Sequence, residues 1–140
     1  MKRKYIPVAA GLGPLPFSSG VLVGDTFYIS GHIGVDPGTK KISPDAEQEA
    51  RLMLDSFRET LSRGGCAMDD LVYVQIFCSD VSLFEKFNAI YKTYFGRNLP
   101  ARAFIGSGPL LFGARFEMQG IAVKQSAARR TARGKKTRRR

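Results

Sequence analysis

Apolar and polar positions along the chain follow two periods. Val21-Leu22-Val23 and Thr26-Phe27-Tyr28-Ile29-Ser30 are β-branched and aromatic runs flanking Gly24-Asp25, a pattern that predicts a tight hairpin. Residues 33–35 lead into a second turn cluster, Asp36-Pro37-Gly38. Ser43-Pro44 offers an N-cap and a first-turn proline; Ala46, Ala50, Met53, Leu54, Phe57 and Leu61 then recur at helical spacing until Gly64-Gly65 stops the run. Residues 71–78, bounded by Asp69-Asp70 and Ser79-Asp80, have the length and make-up of a buried strand. Ser82-Leu83-Phe84-Glu85 has the form of a capping box opening a second helix, with Phe84, Phe87, Tyr91, Tyr94 and Phe95 on its apolar side and Gly96 at its exit. Past Pro100, residues 101–105 and 115–123 predict two further strands around the loop Gly106-Ser107-Gly108-Pro109.

The order ββ-α-β-α-ββ describes an α+β fold, a sheet of five or six strands with two helices packed on one face. Two helices leave the other face bare although apolar residues lie on both. Self-association is the economical cover, so a homo-oligomer is expected.

Composition narrows this reading. A chain of 140 residues with 44% apolar and 24% charged residues holds one globular domain, and no run of about 20 apolar residues is present to span a bilayer as a helix. The formal charge of +10 is local: residues 124–140 carry nine Lys and Arg and no acid, so residues 1–123 are close to neutral. The organisation expected is a single domain over 1–123 and a basic tail over 124–140. Met1-Lys2-Arg3-Lys4 before an apolar run has the look of a leader, but Pro7, Pro14 and Pro16 interrupt that run, so the cytoplasm is expected. Cys66 and Cys78 match no metal spacing and read as reduced thiols. With one histidine in the chain, zinc sites and hydrolytic triads lack parts, and no metal or cofactor is expected. His32 itself reads as a hydrogen-bonded structural histidine, with a proton shuttle as the alternative.

Chemistry concentrates at two charges in apolar strands. Arg102 lies in Pro100-Ala101-Arg102-Ala103-Phe104, and Glu117 lies in the following strand. Charges in such settings need partners. They either pair with each other structurally or form a site, in which the guanidinium grips a ligand carboxylate and the acid handles a proton or a water. The site reading requires the two groups to converge from neighbouring strands at a subunit boundary. A pair locked together in a dry interior, or pointing to opposite faces of the sheet, would overturn it.

Residues 17–123 resemble the RidA (YjgF/YER057c/UK114) family of enamine/imine deaminases. The segments that carry the resemblance are Gly20-Val21 with Gly24, Tyr28-Ile29-Ser30-Gly31-His32-Ile33-Gly34-Val35, Phe87-Asn88-Ala89-Ile90-Tyr91, Pro100-Ala101-Arg102 and Glu117-Met118-Gln119-Gly120-Ile121-Ala122-Val123. The resemblance implies a chorismate-mutase-like fold and a homotrimer with ligand clefts between subunits. It implies hydrolysis of 2-aminoacrylate-type enamines and imines to 2-keto acids and ammonia. By position it assigns carboxylate binding to Arg102 and placement of the water to Glu117, and puts Ser30, Gly31 and Asn88 on site positions. The deaminase reading rests on that pair, so an outcome that overturns the site reading overturns it too. Phe17 stands where many active members have tyrosine, and Phe104 where cysteine is common, although there the backbone is used. With the apolar loop 106–113, these departures point to a roomier or more apolar imine, or to a carboxylate-binding sensor without turnover.

The tail lies outside the resemblance. Arg129, Arg130, Arg133, Lys135, Lys136, Arg138, Arg139 and Arg140 form a like-charge block with no aromatic residue for base stacking. Such blocks bind polyanions without sequence preference, unless the tail is a solvated appendage or a targeting signal. It carries the second functional reading, a nucleic-acid-associated protein of ribonuclease or translation-inhibitor type.

Overall fold

The computed structural model describes residues 1–9 and 13–125. Its sheet contains β1 (Arg3–Ile6), β2 (Gly20–Val23), β3 (Thr26–Ile33), β4 (Leu71–Cys78), β5 (Ala101–Gly106) and β6 (Phe116–Val123), with helices α1 (Ala46–Arg63) and α2 (Phe84–Tyr91). Across the sheet the order is β1-β2-β3-β6-β4-β5. The pair β4 and β5 is parallel and every other pairing is antiparallel. No helix of the described residues is long and apolar enough to cross a membrane.

The predicted hairpin is present, with Val23 opposite Thr26 and Gly24 at a φ of 59°, in the left-handed region that a turn residue with no Cβ enters freely. Arg3–Ile6, where the sequence pattern predicts no strand, forms one along the edge of β2, from Arg3 opposite Val23 to Ile6 opposite Gly20. Only Ile6 of this strand is buried, so backbone pairing rather than an apolar pattern places it.

Helix α1 begins at Ala46 because Asp45, not Ser43, is its N-cap and accepts a hydrogen bond from the Glu47 amide. Ser43 and Pro44 turn their carbonyls to the Arg115 guanidinium instead. The periodic residues Ala50, Met53, Leu54, Phe57 and Leu61 are all buried against the sheet. The second helix is shorter than its aromatic stripe suggests. Asp80 caps a 3-10 turn at Val81–Leu83 by accepting from both the amide and the hydroxyl of Ser82, so the Ser82 box does not form. A further 3-10 turn, Lys92–Tyr94, follows α2, and Tyr94 and Phe95 pack on the core from outside the helix.

The last two strands are not neighbours. β6 inserts between β3 and β4, while β5 lies beyond β4 at the sheet edge. Strand alternation then sets the faces. Phe27, Ile29, Val74, Ile76, Cys78, Phe116, Met118 and Ala122 are buried in the core cluster that contains α1 and α2. The opposite face carries Tyr28, Ser30, Tyr73, Gln119 and Ile121 around a shallow concavity. This face has no covering layer in the protomer, and Tyr28 is half exposed there.

Candidate active site

Arg102 points to the helical side of the sheet. It stands opposite Val74, which is fully buried beneath the helices, and its guanidinium lies against one stripe of α2. Nη1 donates to Asn88 Oδ1 at 2.8 Å. The guanidinium carbon lies 4.9 Å from the Tyr91 ring centroid, 5.5 Å from that of Phe104 and 5.7 Å from that of Phe84. Phe84, Asn88 and Tyr91 are spaced i, i+4 and i+7, so one helical face supplies three of these four contacts. Three rings restrict the plane of the cation, and Asn88 fixes one edge. Among the described residues no acid pairs with Arg102, which excludes the Arg102–Glu117 salt bridge; the ion pairs present are Arg58–Asp55 and Arg115–Glu49. A half-buried guanidinium with an unengaged edge is suited to a planar carboxylate.

Glu117 occupies the other face. It stands opposite Phe77 and Ile33, and its carboxylate abuts Gly31, where a Cβ would collide with it. A β-bulge produces this arrangement. Ile29 pairs with Gly120 and His32 with Met118, so β3 places Ser30 and Gly31 opposite the single residue Gln119. The bulge is tied down on both sides. Ser30 Oγ donates to the Ser18 carbonyl at 2.6 Å, and the Ser30 amide donates to the Ser19 carbonyl. The Ser30 carbonyl accepts from His32 Nδ1 at 2.6 Å, which leaves Nε2 to accept from the Thr60 hydroxyl at 2.8 Å. His32 is therefore a neutral clamp joining the bulge to α1, as the structural reading of the sequence expects, and burial holds its pKa below the ordinary value.

The structure thus groups the predicted residues into two clusters. Arg102, Asn88 and Phe104 meet beneath α2, while Ser30, Gly31 and Glu117 meet on the open face. Phe17 is half exposed, with no ring or hydrogen-bond contact joining it to either cluster. The expectation that Arg102 and Glu117 converge from neighbouring strands is corrected: β4 separates their strands, and the two side chains face opposite sides. Within one protomer, this is the arrangement that counts against a shared pocket. Phe84 and Tyr91, two residues of the apolar side predicted for this helix, are contacts of Arg102 that the sequence did not nominate; their spacing about Asn88 is the signal that could have found them. No group of three or more His, Cys, Asp or Glu side chains able to hold a metal occurs among the described residues. The tail residues Arg129, Arg130, Arg133, Lys135, Lys136, Arg138, Arg139 and Arg140 lie outside the described residues.

Comparison with known proteins places this geometry in a lineage. The family model described as Endoribonuclease L-PSP matches residues 12–124. The 2-iminobutanoate/2-iminopropanoate deaminase of Homo sapiens is 36% identical over 124 residues, covering 87% of this chain and 90% of that protein. The rat protein of the same name is 39% identical over 109 residues, covering 77% and 80%. Among solved structures, the YjgF gene product of E. coli superposes with a TM-score of 0.76 at 29% identity, covering 86% of this chain and 94% of that one. E. coli TdcF with bound serine gives 0.76 at 28% identity, with the same coverage. The six-stranded sheet, its two helices and an agreement in sequence over residues 12–124 lead to one conclusion: the chain belongs to the RidA/YjgF family.

Proposed function

We propose that the chain hydrolyses 2-imino acids and their enamine tautomers to 2-keto acids and ammonia, in clefts between the protomers of a cytoplasmic homotrimer. The observation that carries this reading is the Arg102 guanidinium, held by Asn88 and three rings with no acid beside it. Relatives named 2-iminobutanoate/2-iminopropanoate deaminase support the reaction class, and TdcF with bound serine supports a small amino-acid-like ligand.

Opposite-facing Arg102 and Glu117 require the cleft to be shared. Arg102 comes from one protomer and Glu117, with the Ser30–Gly31 bulge, from the next, whose open face the first protomer covers. Closed threefold symmetry repeats this heterologous contact three times and leaves no open sheet face. The free, buried thiol of Cys78 accords with a reducing compartment.

The chemistry asks little of the protein. Arg102 holds the substrate carboxylate through paired charge-assisted hydrogen bonds and fixes the imine carbon in place. Glu117 orients a water and relays its proton as oxygen bonds to that carbon. The C=N bond becomes a C–N single bond in the carbinolamine. Proton transfer to nitrogen then allows the C–N bond to break, ammonia leaves with the electron pair, and the oxygen closes to the keto group. An enamine enters the same sequence after its carbon takes up a proton.

The test is a coupled assay in which an amino-acid oxidase generates 2-iminopropanoate and its lifetime is followed. Two charge-assisted hydrogen bonds at about 1.5–3 kcal/mol each correspond to a loss of roughly a hundredfold to ten-thousandfold in Arg102→Ala. Wild-type activity in that variant would remove the mechanism.

A further inference from the structure

Among the described residues, one buried side-chain polar atom has no hydrogen-bond partner: the hydroxyl of Tyr91. The side chain is 5% exposed and lies between the rings of Phe87 and Phe95, at centroid distances of 5.7 and 4.7 Å. A phenylalanine would make the same ring contacts without burying an unsatisfied donor. Among the described residues nothing compensates for this hydroxyl, which leaves it available to a partner. The ring that bears it is the one closest to the Arg102 guanidinium.

Resting on the deaminase reading of this pocket, we propose that the Tyr91 hydroxyl is a substrate-binding group, a third hydrogen-bond donor to the carboxylate that Arg102 grips. A carboxylate has acceptor capacity for about four hydrogen bonds. Arg102 has one edge committed to Asn88, so its other edge can fill at most part of that capacity. Tyr91 is the ring the guanidinium stacks on most closely, and its hydroxyl is a buried donor without a partner among the described residues. Burial pushes the phenol up to about 12, so it stays protonated and donates throughout the neutral range. A neutral donor beside a fixed cation favours an anionic head over an amide or ester of the same shape, so Tyr91 contributes to selecting free 2-imino acids.

The decisive variant is Tyr91→Phe, which keeps the ring and removes the donor. The probe is 2-oxobutanoate, the keto acid formed by hydrolysing 2-iminobutanoate, titrated calorimetrically against the full-length assembled protein. The predicted result is about a tenfold weaker Kd and a matching rise in KM with kcat nearly unchanged. The ligand-free melting temperature should be equal to or above that of the wild type. Unchanged affinity would overturn the assignment, as would a loss confined to melting temperature or to subunit association, which would place the hydroxyl's partner in a neighbouring protomer. Arg102→Lys separates this proposal from the reading beneath it. If wild type binds and Arg102→Lys does not while Tyr91→Phe binds normally, the Tyr91 assignment alone fails. If wild type neither binds 2-oxobutanoate nor hydrolyses imine, the deaminase reading fails first.

Discussion

Arg102 and Glu117 stand on opposite faces of one sheet, in a register that keeps them there: Arg102 aligns with Val74 of β4, and Glu117 with Phe77 three residues further along that strand. On the proposed reading, a single protomer therefore holds two half-sites. Each half is built locally, one by a stripe of α2 and the other by a bulge in β3, and each can be perturbed without touching the other.

The first half depends on Asn88, whose amide oxygen takes the Arg102 Nη1 proton. Asn88→Ala frees that edge and lets the guanidinium rotate within its three rings. We expect kcat/KM for the imine to fall about tenfold, consistent with loss of one hydrogen bond to a charged group, with the fold intact by circular dichroism. Unaltered kinetics would show that the rings alone orient Arg102.

The second half depends on the missing side chain at Gly31. A Cβ there meets the far end of Glu117, so Gly31→Ala shifts the carboxylate at little cost to the backbone. Displacement of a proton-handling group by about 1 Å costs on the order of a hundredfold in rate. The expected signature is a fall in kcat of that size, with unchanged affinity for 2-oxobutanoate; unchanged kcat would exclude Glu117 from the chemistry.

Much of this was legible from the chain. The hairpin, α1 and the central strand β4 follow from period and turn residues, because each is long or sharply bounded. β1 was not legible, because its Arg3-Lys4-Tyr5 segment is exposed and carries no pattern that burial would impose. Strand order was also hidden, since pairing of β6 with β3 and β4 is a long-range choice that local propensity does not encode. For that reason Arg102 and Glu117 could be nominated individually while their relative placement came out wrong. Tyr91 looked like core because an aromatic at helical spacing carries no mark of an unsatisfied hydroxyl.

Glu49 anchors the start of β6. Its buried carboxylate accepts from the amides of Arg115 and Phe116 and from the Arg115 guanidinium, at 2.7, 3.1 and 2.7 Å. Glu49→Ala leaves the two amides without their acceptor and the Arg115 charge without its counter-ion, holding only the Ser43 and Pro44 carbonyls. The expected destabilisation is about 3–5 kcal/mol, the cost of breaking a buried pair from one side, read from urea unfolding. A loss below about 1 kcal/mol would mean that Arg115 finds solvent at no cost.

His32 makes stability depend on pH. Burial lowers its folded-state pKa below the ordinary 6.5. The unfolded chain therefore takes up a proton near pH 6.5 that the folded chain refuses, and stability falls as pH drops through 6.5 toward the folded value. His32→Gln keeps a hydrogen-bonding side chain but does not titrate. Its urea midpoint should decline less steeply than that of the wild type between about pH 7 and pH 5; parallel slopes would contradict the burial argument.

Subunit mixing tests the shared cleft directly. Arg102→Ala and Glu117→Gln proteins, each inactive alone, are unfolded, combined in equal amounts and refolded together. If a cleft draws Arg102 from one protomer and Glu117 from the next, random assortment restores both groups in about a quarter of the clefts, and imine hydrolysis returns to about a quarter of the wild-type level. Mixed assemblies that form yet stay inactive would show that the two residues do not meet across a subunit boundary.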